Sequence, residues 1–177
     1  MPPYAVAAIL TITVGFYADK TRQRGVYNMG CAVLGITGFS MLVAGTSPTV
    51  RYVGTYLGAL GIYPCIANTI VWTSNNIEGV YKRGVTLGFV IGWGNLNGVV
   101  ASNIYQMKDK PLYRKGHGVV LAYLTLFLLG GSALMYTLLT GENKKRRSGG
   151  RDYWAEGKSE KEVEALGDKR PNFIYTL

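Results

Sequence analysis

The sequence predicts an all-α membrane protein with five transmembrane helices. Three observations carry that prediction: five charge-free runs long enough to cross a bilayer, cations gathered at the ends of those runs, and amides and hydroxyls retained inside two of them. The runs cover residues 1–18, 25–50, 52–77, 84–107 and 116–141, with His117 counted as neutral. A helix needs about 20 apolar residues to cross the hydrocarbon core. Chain-wide averages conceal this pattern, because only 48% of the 177 residues are hydrophobic and mean hydropathy is +0.12. The charged residues are badly mixed, collecting between the runs and after Gly141.

Span one, about 3–18, carries Pro2 and Pro3 at its start, where a helix tolerates proline. No basic segment precedes it, so no secretory signal is expected. It ends in Gly15-Phe-Tyr-Ala-Asp19-Lys20-Thr-Arg-Gln-Arg24-Gly25. There a glycine lets helices cross closely, and a helix-end aspartate can face an arginine or a neighbouring helix N-terminus. Span two, about 26–45, closes at the turn Thr46-Ser-Pro-Thr49. Span three, about 52–72, contains Pro64, which removes a backbone hydrogen bond and predicts a kink. Span four is about 84–105. A loop at 106–118 follows, made irregular by Pro111 and two glycines and basic by Lys108, Lys110, Arg114 and Lys115. Span five is about 119–140.

Residues 1–141 thus read as a membrane domain and 142–177 as a tail. In the tail, the cluster from Lys144 to Arg147 is expected to lie at the lipid surface. Ser159-Glu-Lys-Glu162 is a capping box that opens a helix through Leu166, stopped by Gly167. Residues 171–177 are expected to be extended, and the tail solvated and without activity of its own.

The net charge of +9 does not indicate nucleic acid, since the cations sit at span ends and form no stripe. One side of the membrane has Lys20, Arg22, Arg24, Lys82, Arg83, Lys144, Lys145, Arg146, Arg147 and Arg151. The other has Arg51 and the four cations of the 106–118 loop. That imbalance predicts a cytoplasmic C-terminus in a multi-pass protein, with the plasma membrane as the expected location. Cys31 and Cys65 lie inside separate spans and read as small buried side chains, with no disulfide or metal pairing. No Asp, Glu, Lys or Arg sits in mid-span, and no nucleophile–base pair or metal-ligand cluster is present. Neither a cofactor nor an enzyme activity is expected. His117, between two glycines, reads as a loop residue.

Glycines recur at four-residue spacing: Gly84, Gly88 and Gly92 in span four, Gly94 with Gly98 on another face, and Gly54 with Gly58 in span three. In lipid this spacing lets helix backbones approach; contacts within one bundle account for it, and sliding or rocking helices need the same pattern. The polar residues say more. Asn68 and Trp72 in span three, and Trp93 and Asn97 in span four, each stand at i, i+4 and share a helix face. Two roles are open for these four: a substrate wall offering indole area and amide donors and acceptors, or hydrogen-bonded glue between helices.

The loop Gly15-x-x-x-Asp19-Lys20-x-x-x-Arg24 resembles the cytoplasmic signature of the major facilitator superfamily, in its copy between helices eight and nine. It departs by having Thr21-Arg22 where the pattern usually has a glycine. Tyr63-Pro64, Trp72-Thr-Ser-Asn75-Asn76, Gly79-x-x-Lys82-Arg83, Gly92-Trp-Gly-Asn95 and Gly167-Asp-Lys-Arg-Pro171-Asn-Phe-Ile-Tyr175 together resemble the fungal allantoate-permease group. That group belongs to the anion:cation symporter family. The resemblance implies that the five spans correspond to helices eight to twelve of a twelve-helix fold. It also implies a C-terminal portion of a secondary transporter, inactive alone, whose parent moves small carboxylates such as allantoate, nicotinate or biotin with protons. Its partners would be the lipid bilayer, the small organic anion and the missing N-terminal transporter half. Gly15, Asp19, Lys20 and Arg24 would form a cytoplasmic gate. The competing expectation is a standalone five-helix subunit with a scaffold or regulatory role.

Overall fold

The computed structural model describes residues 2–177 and is helical, with no strand among those residues. Four long helices come first: α1 (Pro2–Thr21), α2 (Arg24–Ala44), α3 (Pro48–Asn75) and α4 (Val80–Ile104). Next, α5 (Arg114–Tyr123) continues through a wide π turn over Leu124–Leu129 into α6 (Gly130–Arg147). Those three pieces form one unbroken helical rod of 34 residues.

Three of the five rods are long and apolar enough to cross a membrane: Arg24–Ala44, Val80–Ile104 and Arg114–Arg147. α1 and α3, richer in Pro, Tyr and Thr, are not among them. The helices also overrun the sequence-predicted spans. α1 continues through Asp19 and Lys20, and α3 continues through Thr73, Ser74 and Asn75. A charge marks where lipid ends, but the backbone can go on pairing beyond it. Ser47 caps α3 by accepting the Val50 N–H at 3.3 Å, and the helix runs on through the buried Pro64.

The core is the α2–α3 pair, onto which α1 packs from one side and the α5–α6 rod from the other. Glycine faces glycine along that pair. A methyl group added at Gly38 would meet the Gly54 carbonyl oxygen at 2.7 Å and the Gly58 Cα at 2.9 Å. One added at Gly61 would meet the Cys31 carbonyl oxygen at 2.7 Å. The expected close approach at Gly54 and Gly58 is therefore present, and dispersion between touching backbones holds the pair. Cys31 and Cys65 are free and buried, in a small cluster with Val14.

α4 corrects the second glycine expectation. None of its residues is buried, and a methyl group at Gly84, Gly88, Gly92, Gly94 or Gly98 would meet nothing within 4 Å. Contacts within this bundle do not use those glycines. The helix leans on α3 and α5 through few contacts, and its faces stand open.

The tail is also corrected. Its local elements form as expected: the Ser159 N–H donates to Glu162 at 2.7 Å, and α7 (Glu160–Glu164) follows. That bond holds the Glu162 carboxyl below its ordinary range. Helical dihedrals persist at Ala165 and Leu166, and the backbone reverses at Gly167, whose φ of +60° suits glycine. Residues 171–177 have no regular structure, but five of the seven are partly buried, with Asn172 and Ile174 exposed. They lie across the helix ends as a strap. Arg146 leaves the expected lipid-facing cluster and becomes the strap's buried anchor, whereas Lys144, Lys145 and Arg147 stay exposed.

Candidate functional site

Four polar side chains meet between α2 and α3 at the end of the bundle that carries the strap. Arg24 opens α2 and is 2% exposed. Its Nη1 donates to Asn68 Oδ1 at 2.7 Å, and its Nη2 pairs with the Asp19 carboxylate. Asn68 returns two bonds, donating to the Arg24 carbonyl at 2.8 Å and to Asn28 Oδ1 at 2.8 Å. The Asn28 amide donates onward to Thr69 Oγ1 at 2.9 Å. Every oxygen and nitrogen of the Asn68 amide is engaged. A buried charge is tolerable only with such partners. Asn28 was not singled out from the sequence, although it follows Arg24 at i+4; Thr69 stands in the polar run of span three beside Asn68, outside the four candidate wall residues.

Beyond this network the strap is bonded residue by residue. Tyr175 exchanges both backbone bonds with the Asn143 amide, at 2.8 and 2.9 Å. The Thr176 N–H donates to Asn76 Oδ1 at 2.8 Å, and its carbonyl accepts from Asn76 Nδ2 at 3.0 Å and Trp72 Nε1 at 2.9 Å. The Leu177 N–H donates to the Arg22 carbonyl at 3.2 Å, and the Leu177 carbonyl accepts from Gly25 at 3.1 Å. Two side-chain amides thus replace the neighbouring strand that an extended segment normally requires. Arg146 supplies the rest. Its guanidinium donates to the carbonyls of Asp168, Arg170 and Phe173 at 2.8–3.0 Å and lies 4.5 Å from the Tyr175 ring centre. Ion pairs Lys82–Asp168 and Arg170–Glu78 tie the strap's approach to the α3–α4 turn.

The sequence-predicted residues therefore divide. Asn68 and Trp72 share a face, as expected, and that face is buried against α2 and the strap at 3% and 7% exposure. Trp72 also lines a cleft of about 540 Å³ between α3 and α6, together with Asn28, Thr69, Ser132 and Tyr175. Trp93 is 65% exposed on α4, and Asn97 is exposed one turn on, at the edge of an apolar cleft against Val120 and Leu124. The two pairs are not brought together among the described residues. Of the gate residues, Asp19 is paired to Arg24 yet largely exposed, Lys20 is exposed, and Gly15 has open space beside it.

The strap's docking can be tested directly. Thr176→Pro removes the N–H that Asn76 accepts and leaves a partly buried amide oxygen without its donor, at a cost of about 1 kcal/mol. Hydrogen exchange at Tyr175 and Leu177 should accelerate severalfold while exchange in α2 and α3 stays unchanged. Equal rates in both proteins would mean that the strap is not held by these bonds.

The curated relatives of this chain are named as transporters. An uncharacterized transporter of Schizosaccharomyces pombe is 36% identical over 138 residues, covering 78% of this chain and 28% of that protein. The high-affinity nicotinic acid transporter of Saccharomyces cerevisiae is 29% identical, covering 99% of this chain and 33% of that protein. The MFS-type transporter cnsO of Penicillium expansum is 30% identical, covering 99% and 35%. These similarities support a place in the major facilitator superfamily. The chain spans about a third of the length of the curated relatives it matches. No family model matches the chain, and no solved structure does.

Proposed function

We propose that this chain is the C-terminal portion of a secondary transporter of the allantoate-permease-like group, carrying a small organic anion with protons. Its five rods would be helices eight to twelve, and the strap end would face the cytoplasm of a plasma-membrane protein. The observation that carries the reading is α4. It keeps glycines at four-residue spacing and the Trp93–Asn97 pair on surfaces left exposed by the described residues. An amide against hydrocarbon is costly, so α4 needs protein or water beside it. A second half of a transporter would supply both: backbone contacts for the glycines and a wet pathway for the amide. Relatives about three times the length of this chain leave room for that half.

In this reading Trp93 and Asn97 face the pathway directly, and Trp72 reaches it from the α3–α6 cleft. Asn68 holds α2 and α3 in place behind it. Asp19, paired on one side only, would complete the cytoplasmic gate against the missing half. The carboxylate class rests on the resemblance and on the relative named for nicotinic acid.

Trp93→Ala and Asn97→Ala in the full-length transporter should raise the half-saturation concentration for nicotinate uptake at least fivefold with surface expression unchanged. Normal affinity with lost expression would make both residues packing elements. Normal uptake in every respect would place the substrate path away from Trp93 and Asn97.

A further inference from the structure

At the end of the bundle away from the strap, α1, α2, α3 and α5 enclose a cleft of about 700 Å³. Its walls carry aromatic rings and one arginine: Arg51, His117, Phe39, Tyr52, Tyr63 and Tyr105. Arg51 is unlike the other anchored arginines. Arg24, Arg146, Arg151 and Arg170 each meet a carboxylate. Arg51, half-buried in the first turn of α3, meets none among the described residues. Its Nη2 reaches the Pro111 and Leu112 carbonyls only at 3.5 Å, the outer limit of a hydrogen bond. Its buried Nε has no partner, a feature it shares with Arg24 and Arg170, so the missing carboxylate is what sets it apart. A cation in the first turn of a helix also stands against the helix dipole unless an anion joins it.

The neighbouring groups suit a flat ring. His117 Nδ1 lies 3.1 Å from the Tyr105 hydroxyl, and the two rings meet edge to face with centres 5.3 Å apart. Phe39 flanks His117 at 6.0 Å. Rings held by one another in this way offer faces and edges without paying rotamer entropy on binding.

We propose that this cleft binds an aromatic monocarboxylate, with the Arg51 guanidinium holding the carboxylate and the Tyr105–His117–Phe39 group packing on the ring. A guanidinium matches a carboxylate bidentately, which an ammonium cannot do. The site lies at the opposite end of α3 from Asn68 and Trp72 and is separate from the α4 face assigned to the pathway. It takes its anion class from the proposed function, but every group in it belongs to this chain. Binding therefore does not require transport.

The test uses the purified chain in nanodiscs of zwitterionic lipid, with radiolabelled nicotinate as the probe in equilibrium dialysis. Saturable binding is expected. Nicotinamide, the same ring without the charge, should compete at least tenfold more weakly than benzoate, which keeps the carboxylate. Arg51→Gln should weaken nicotinate binding at least tenfold, with Arg51→Lys falling between, while the helical signal and elution volume of both variants stay those of the parent. No nicotinate binding, equal competition by nicotinamide, or unchanged binding in Arg51→Gln would each overturn the site. Nicotinate uptake by the full-length protein without binding to this chain would sink this inference alone. Binding without uptake would sink the transport reading alone.

Discussion

Arg24→Ala should loosen the strap end of the bundle, lowering stability by about 1–3 kcal/mol, the cost of leaving a buried acceptor without its donor. The side chain is 2% exposed and joins Asp19 on α1 to Asn68 on α3. Its removal leaves Asn68 Oδ1 without a donor where no water reaches, and opens a void of guanidinium size between two helices. Asp19 loses a partner too, but at 66% side-chain exposure water can replace it, so most of the penalty arises at Asn68. Arg24→Lys keeps the charge without the fork that spans both acceptors and should recover only part of the loss. Thermal unfolding of the purified chain in detergent reads the effect. An unchanged midpoint for Arg24→Ala would mean that the network contributes nothing to the α2–α3 contact.

Gly38→Ala should destabilise as strongly, although it adds only one methyl group. Helix propensity alone argues the reverse, since alanine is favoured over glycine by about 1 kcal/mol. The methyl group would stand 2.7 Å from the Gly54 carbonyl oxygen and 2.9 Å from the Gly58 Cα, both rigid backbone. The helices must then move apart, and every contact along the pair weakens with them. Overpacking costs about 1–3 kcal/mol in soluble cores, and more is expected where backbone meets backbone. Gly92→Ala on α4, with nothing within 4 Å, is the matched control and should be neutral or slightly stabilising in this chain. If both substitutions behave alike, the glycine contact is not what holds α2 to α3.

How much of this was legible in the sequence depends on whether a feature repeats along the chain. The five rods follow from charge-free runs, because excluding charge from lipid acts on every residue of a span. Gly54 and Gly58 announced a helix contact by their spacing, and Asn68 with Trp72 a shared face. The strap left no such periodic trace. Its bonds join Tyr175 and Thr176 to Asn143 and Asn76, residues 32 and 100 positions away. An extended segment looks the same whether it is solvated or docked. Arg146 was hidden for a related reason: within a run of four cations, nothing local says which one turns inward. The Gly167-to-Tyr175 motif was noticed as a family likeness. Its physical content, a reversal at Gly167 and a tyrosine bridged to Asn143, needed the structure. α4 misled because small-residue spacing announces close contact without saying with what.

The transporter reading is tested most directly by uptake of radiolabelled nicotinate into proteoliposomes. One set would hold this chain alone, and a second the chain joined to the half of about seven further helices that the resemblance implies. The account predicts no uptake above empty vesicles for the chain alone and saturable uptake, inhibited by other small carboxylates, for the joined protein. Saturable uptake by the chain alone, or none by the joined protein for any small carboxylate tried, would contradict it.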